Sequence, residues 1–271
     1  MVSGVAVKKV AGKINAVFFR VQLWAFISSF KTYAEINSSA LSWPSSFRPD
    51  NYIAAFRYAP IAQYFLNSVV IVGCSVLVTV ALVAMCSYII SRFDFKLKTL
   101  IVLLISASLM LPAQAISQPL FAIFQKLGIF DTKLGMVIVY SAMGIPMSFF
   151  VMTSYYKTIS MALEESAYID GATFLQTFLH IILPLAKPGL VTIAMLQFIN
   201  TWNEFYFALM LTSGNRARTV PIALNYYMGT FANNYSALFA AVVMTVLPTI
   251  LVFILLQRQV MESLTAGAVK G

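Results

Sequence analysis

Glu165-Ser166-Ala167-Tyr168-Ile169-Asp170-Gly171-Ala172, running on through Ile181, Leu183 and Pro184, is the stretch on which the fold turns. It carries acidic residues and lies between long apolar segments. A stretch this polar does not sit in hydrocarbon, where unpaired charge is expensive. It therefore reads as a folded polar loop between membrane helices. A loop with this much internal pattern is a candidate docking surface.

The rest of the chain supports that setting. Mean hydropathy is +0.84. Charged residues make up 10% of the sequence, against about 25% in a soluble globular domain. The apolar runs approach membrane length and are apolar on all sides. A β-barrel instead shows runs of about ten residues with strict alternation. The expected fold is an all-α polytopic membrane protein. The net charge of +9 does not indicate nucleic acid, because the basic residues are dispersed rather than gathered on one face. Cys74 and Cys86 share one apolar run and read as small buried residues. Twelve positions apart, they would stand about 18 Å apart on a helix, too far for a disulfide. His180 has no partners at metal-ligand spacing, so no metal site is expected.

Six spans are expected, at approximately 14–30, 64–90, 100–121, 134–153, 190–211 and 235–256. A span of about 20 residues at 1.5 Å per residue crosses about 30 Å of hydrocarbon. The first is irregular, because Arg20 and Gln22 interrupt it. A signal peptide is disfavoured there, since no small-residue cleavage pattern follows. Residues 31–60, with Trp43-Pro44 and Tyr52, read as an ordered loop at the membrane interface. In the second span Gly73 and Ser75 are small residues suited to helix packing. Pro112 is expected to kink the third span, and Pro146 and Pro248 lie within later ones. Arg92, Lys96 and Lys98 follow the second span closely and mark a cytoplasmic end. With both termini inside, the inner segments hold ten basic residues and the outer ones seven, Arg20 uncounted. That arrangement puts the loop 154–187 and the tail 257–271 in the cytoplasm and the loop 212–234 outside.

Within the inner loop, Ser160 is the expected N-cap. Met161 to Ile169 then offers good helix formers without a breaker. Glu164 and Glu165 fall in the first turns, where carboxylates suit the helix dipole. Met161, Ala162, Tyr168 and Ile169 share an apolar side. Gly171 permits a sharp break, and Thr173 to His180 forms a second helix that ends before Pro184. Two short helices bent at a glycine make a stiff knob. Such a knob either transmits motion from a soluble partner or lies in the interface with no partner.

The spacing Glu165-Ser166-Ala167, three residues, Gly171, nine residues, Ile181-Ile182-Leu183-Pro184 resembles the cytoplasmic loop of the permease subunits of bacterial ABC importers. The family pattern begins Glu-Ala-Ala, and Ser166 replaces the first alanine. Tyr168-Ile169-Asp170-Gly171-Ala172 with Leu183-Pro184-Leu185-Ala186-Lys187-Pro188 is similar to the carbohydrate-uptake branch, of the maltose-permease type. Asn67-Ser68, Ser91-Arg92-Phe93, Trp202-Asn203-Glu204-Phe205 and the ending Leu264 to Gly271 extend the resemblance over nearly the whole chain. Two departures stand out. Ser160 occupies a position where proline is usual, and the first helix carries Arg20 and Gln22.

The resemblance implies a mechanism. An extracytoplasmic solute-binding protein delivers a sugar, two permease subunits form the path through the lipid, and two ABC ATPase subunits bind ATP and Mg. Glu164, Glu165, Ser166, Ala167, Asp170, Gly171, Leu183 and Pro184 would then form the ATPase-coupling element. Glu165 would pair with a basic residue of the ATPase, and Gly171 would hold the bend. No Gly-x-x-x-x-Gly-Lys-Ser/Thr loop occurs in this chain, so it is not expected to be an enzyme or to carry a cofactor.

Asn200, Trp202, Asn203 and Glu204 interrupt the fifth span. Polar groups at that depth face a path or another helix, and Trp202 either stacks on a sugar or packs in a core. In the outer loop, Asn215, Arg216, Arg218, Tyr226 and Tyr227 are candidate contacts for the binding protein. Two other classes compete. A membrane-embedded enzyme needs paired acids or a nucleophile system, which Glu204 and His180 do not make. An ATP-independent channel or secondary carrier has no use for the Glu165 loop.

Overall fold

A computed structural model describes residues 20–39, 41–47, 49–229 and 235–268. Residues 14–19 of the first expected span, and parts of the outer loop and tail, lie outside these. In chain order the helices are α1 (20–28), α2 (Tyr33–Ser38), α3 (Asp50–Tyr58), α4 (Ile61–Arg92), α5 (Lys98–Ser108), α6 (Ala113–Lys126) and α7 (Lys133–Tyr156). There follow α8 (Ala162–Ile169), α9 (Phe174–Thr177), a π-helical turn Phe178–Ile182, α10 (Leu183–Leu185) and α11 (Lys187–Trp202). The last are α12 (Tyr206–Leu211), α13 (Val220–Ala223), α14 (Asn225–Gly229) and α15 (Tyr235–Ala268). All regular structure among the described residues is helical.

Among the described residues, three helices are long and apolar enough to cross a membrane: Ile61–Arg92, Lys133–Tyr156 and Tyr235–Gln257. A bent pair, Phe174–Leu185 with Lys187–Trp202 at 72°, makes a fourth if taken as one broken span. Residues 100–121, read from sequence as one kinked span, form two helices. Leu109 to Leu111 leave the helix, and Pro112 takes ψ 131 at the N-cap of α6. Proline has no N–H to give the preceding turn and pushes the residue before it towards extended backbone, so a break replaces the kink. Pro146, by contrast, sits inside continuous α7.

The chain forms two compact units. The first comprises Met1–Phe65 and Val220–Pro248. In it, a capping box closes the start of α2, with the Thr32 hydroxyl accepting from the Glu35 amide and the Glu35 carboxylate from the Thr32 amide. The Asn51 amide donates to the carbonyls of Ser29 and Lys31. Aromatic pairs join its distant segments: Trp24 meets Phe239 edge-on at 5.1 Å, and Tyr33 stacks on Tyr235.

The second unit comprises Leu66–Thr219 and Thr249–Gly271. Here α4 and α7 run against each other through small polar residues. Thr79 donates to the Ser141 carbonyl at 3.3 Å, Ser87 to the Phe149 carbonyl at 3.3 Å and Tyr156 to the Ala84 carbonyl at 3.1 Å. Without a hydrophobic drive between helices in lipid, such small-residue contacts and hydrogen bonds hold spans together. Ser75 belongs to this seam through a 3.4 Å bond to the Val137 carbonyl. Gly73 does not, since open space surrounds the place of its missing Cβ. Cys74 and Cys86 are exposed rather than buried. A helix apolar all round turns part of its surface outward, and in lipid that surface carries no penalty. On the other side of α7, Gly144 and Gly189 let α11 come close. A Cβ on Gly189 would fall 2.7 Å from the Tyr155 ring, and one on Gly144 would collide with the Gln197 amide.

Candidate coupling knob and membrane polar sites

The polar loop folds as the two-helix knob expected from its sequence. Ser160 does not cap it; Met161 occupies the N-cap without a side-chain bond. Glu164 and Glu165 lie in the first turn of α8, where free amides favour negative charge. The helix ends in a Schellman arrangement. The Gly171 amide donates to the Tyr168 carbonyl at 3.1 Å and the Ala172 amide to the Ala167 carbonyl at 2.9 Å. Gly171 has φ +85°, a left-handed conformation that costs a side chain roughly 1–2 kcal/mol.

Thr173 then opens the second helix with a capping box closed by Gln176. This helix does not stop before Pro184. It widens into the π turn and continues through α10, with Leu183 donating back to Phe178. Pro184 cannot donate and its ring crowds the carbonyl four residues earlier. A preceding π turn opens the ladder there, which is how the chain carries helix past a proline.

The knob stands on a core of Val83, Tyr88, Met152, Tyr156, Phe178, Ile182 and Ile193 among others. Glu164 is only 5% exposed. Its Oε1 lies 2.6 Å from Arg92 Nε, and its Oε2 accepts from the Tyr88 hydroxyl at 2.8 Å. Arg92 also donates through Nη2 to the Ile159 carbonyl at 2.8 Å. Of the coupling residues named from sequence, Glu164 and Ala167 thus face inward, while Glu165, Ser166, Asp170, Gly171 and Pro184 are exposed and Leu183 is half-buried. The apolar side of α8 also turns outward: Met161, Leu163 and Tyr168 are exposed and Ile169 is 86% exposed, with Leu175 of α9 at 60%. Sequence periodicity marked that side as apolar, but the direction it faces depends on the buried Glu164 opposite.

The break in the fifth span also appears. α11 ends at Trp202 and α12 starts at Tyr206. Glu204 closes the gap: its carboxylate accepts from the Phe207 amide at 2.8 Å, the Ala208 amide at 3.1 Å and the Tyr140 hydroxyl at 3.0 Å. A carboxylate capping a restarted helix in this way also answers the positive end of its dipole. Trp202 is buried and stacks on Phe198, ring centroids 5.4 Å apart. Asn203 is exposed and donates to the Ile199 carbonyl at 2.7 Å, and Asn200 is exposed. Of the candidate path set, Asn200 and Asn203 present themselves at a surface, and Trp202 does not.

In the segment 212–229, Asn215 and Arg216 are exposed and Arg218 is half-buried. The Asn67 amide donates to the carbonyls of Asn215 and Arg218, each at 3.0 Å. Asp131 holds the other flank of this segment: both carboxylate oxygens lie 3.1 Å from the Gly214 amide, and Oδ1 also accepts from Ser213. In the other unit, Tyr226 shares a 3.0 Å hydroxyl contact with Tyr64. Tyr227 is buried and donates to the Ala55 carbonyl at 2.6 Å; burial pushes its phenol up to about 12.

Long apolar helices, a polar break within one apolar run and a two-helix knob between α7 and α11 mark a polytopic membrane protein. The chain belongs to the family of binding-protein-dependent transport system inner membrane components, whose profile matches residues 78–263. It is 34% identical over 247 residues to the diacetylchitobiose uptake system permease protein NgcG of Streptomyces coelicolor, covering 90% of this chain and 82% of that protein. It is 32% identical over 253 residues to the trehalose/maltose transport system permease protein MalG of Thermococcus litoralis, covering 92% and 90%. Its fold is similar to a chain in the crystal structure of a bacterial ABC transporter involved in import of the acidic polysaccharide alginate. The TM-score is 0.77 at 21% identity, covering 95% of this chain and 98% of that one.

Proposed function

We propose that this chain is one permease subunit of an ATP-driven importer for a sugar or oligosaccharide. It works with a second permease subunit, two ABC ATPase subunits that bind ATP and Mg, and an extracytoplasmic solute-binding protein. Six spans cross the cytoplasmic membrane, and both termini lie in the cytoplasm. Half of the path is built from this chain, with Asn200 and Asn203 exposed along it beside the half-buried Glu204. The relatives' sugar substrates favour a carbohydrate cargo.

The observation that carries this reading is the knob itself. It has a buried anchor, Glu164, on one side and an exposed apolar and acidic face on the other. Exposed apolar residues on a rigid cytoplasmic element favour a protein partner. Ile169 and Leu175 supply the apolar contact, and Glu165 and Asp170 supply charge for a basic residue of the ATPase. Asn215 and Arg216, held up by Asn67 and Asp131, face the binding protein outside.

The test is co-purification from detergent-solubilised membranes through a tag on this chain. Recovery of an ABC ATPase and a second permease, lost when Glu165 and Gly171 are both altered, is the expected result. A homo-oligomer that moves solute without ATP would replace this reading with that of a carrier.

A further inference from the structure

The knob is joined by the backbone to α7 and α11, yet its strongest polar contacts are with neither. They go to the inner end of α4. Glu164, on the buried side of α8, receives both Arg92 Nε at 2.6 Å and the Tyr88 hydroxyl at 2.8 Å. Arg92 sends its other arm to the Ile159 carbonyl, in the turn that leads into α8. One guanidinium therefore spans the approach to the knob and its first turn. Tyr88 reaches the second helix as well: its ring lies 5.7 Å from that of Phe174 and 5.0 Å from that of Phe178. Both helices of the knob are thus referenced to two residues one turn apart on α4.

We propose that Arg92 and Tyr88 are positioning residues that carry displacement of the knob into α4 through Glu164. The proposal rests on the coupling function given above. Its physical basis is the stiffness of the junction. An arginine fork fixes two acceptors at once in a geometry a lysine does not reproduce, and a buried ion pair tolerates little separation before its desolvation goes uncompensated. Packed elements of this kind shift together rather than deform. α4 is a single 32-residue helix, so motion at its inner end is delivered along a continuous rod.

Hydrogen–deuterium exchange on the complete importer, purified through this chain and measured with and without Mg and ATP, reads this directly. In the wild type, nucleotide should change exchange both in α8 and over residues 84–92 of α4. In Glu164→Gln, the α8 response should persist, because the exposed docking face is untouched. The α4 response should fall by about fivefold or more, in the range of coupling between sites. Tyr88→Phe, which keeps the ring packing, should give a smaller loss. The charge swap Arg92→Glu with Glu164→Arg should restore part of the response, which a merely structural defect would not permit. An α4 response unchanged in Glu164→Gln and Tyr88→Phe would overturn the proposal, as would a wild type in which α8 responds and α4 does not. A purified chain without any ATPase would overturn the coupling function itself, and this proposal with it.

Discussion

Arg92 Nε stands 2.6 Å from Glu164 Oε1, with side-chain exposures of 5% and 7%. Seventy-two residues separate the two in sequence. The pair fastens the C-terminal end of α4 to the first turn of the knob. Removing one partner strands the other in a desolvated site, at a cost of about 3–5 kcal/mol. Arg92→Met should therefore lower the melting temperature more than the double variant Arg92→Met with Glu164→Leu, as measured by thermal unfolding in detergent. Equal or greater loss in the double variant would show that the pair is not the source of the effect.

Arg92→Lys is expected to behave as a damaging change despite its retained charge. Lysine reaches Glu164 or the Ile159 carbonyl but does not bridge both. Limited proteolysis around residues 157–161 should accelerate in this variant, and an unchanged cleavage rate would refute the bridging role.

Gly171 has room around it: nothing lies within 4 Å of where a Cβ would stand. Its constraint is the left-handed backbone at φ +85°, not crowding. Gly171→Val should cost about 1–2 kcal/mol, whereas Gly171→Asn, which visits that region more readily, should cost less. Comparing their unfolding midpoints checks the order. A steric explanation would instead make the two variants alike.

The elements differ in how plainly the sequence encodes them. The bend at Gly171 and the helix beginning near Met161 follow from propensity and from glycine's backbone freedom, which are local. The break after Trp202 was signalled by Asn200, Asn203 and Glu204 in an apolar run. The pairing of Glu164 with Arg92 was not legible, because two residues far apart carry no mark of their contact. The resemblance therefore put Glu164 and Glu165 into one coupling element, with the pairing role on Glu165, although Glu164 faces inward and Glu165 out. Passage of helix through Pro184 was hidden for a similar reason: the π turn that admits it depends on packing of Phe178 and Ile182 in the core. The separation of α5 from α6 at Pro112 was a choice between kink and break that composition alone does not make.

Asp131 adopts φ 55°, a left-handed conformation unusual for a residue with a side chain. Its carboxylate repays this by accepting from the amides of Ser213 and Gly214, while its own amide donates to the Leu211 carbonyl at 3.0 Å. Asp131→Asn keeps an acceptor and tolerates the backbone, so it should be mild. Asp131→Ala loses both and should cost about 1–3 kcal/mol and raise amide exchange at 211–214. Equal exchange in the two variants would count against the latch.

Glu35 offers a pH-dependent check in the other unit. The Ser45 hydroxyl, the Thr32 amide and the Ser45 amide donate to its carboxylate and lower its pKa from 4.5 to about 2. A depressed folded-state value means that its contribution is present above the unfolded value and is lost as pH falls towards the folded one. The stability difference between wild type and Glu35→Gln should therefore hold near neutrality, shrink below about pH 4.5 and vanish near about pH 2. A difference independent of pH would show that the carboxylate's charge plays no part in closing this loop.

The proposed docking role of the knob is tested most directly at Ile169. That side chain is 86% exposed, so Ile169→Asp should leave the fold and its melting temperature unchanged. The measurement is the amount of ABC ATPase recovered with this chain from solubilised membranes, for Ile169→Asp against wild type. Recovery should fall by about tenfold, the effect of roughly 1.4 kcal/mol lost from an interface. Full ATPase recovery with Ile169→Asp, in protein that remains folded, would contradict docking through this face.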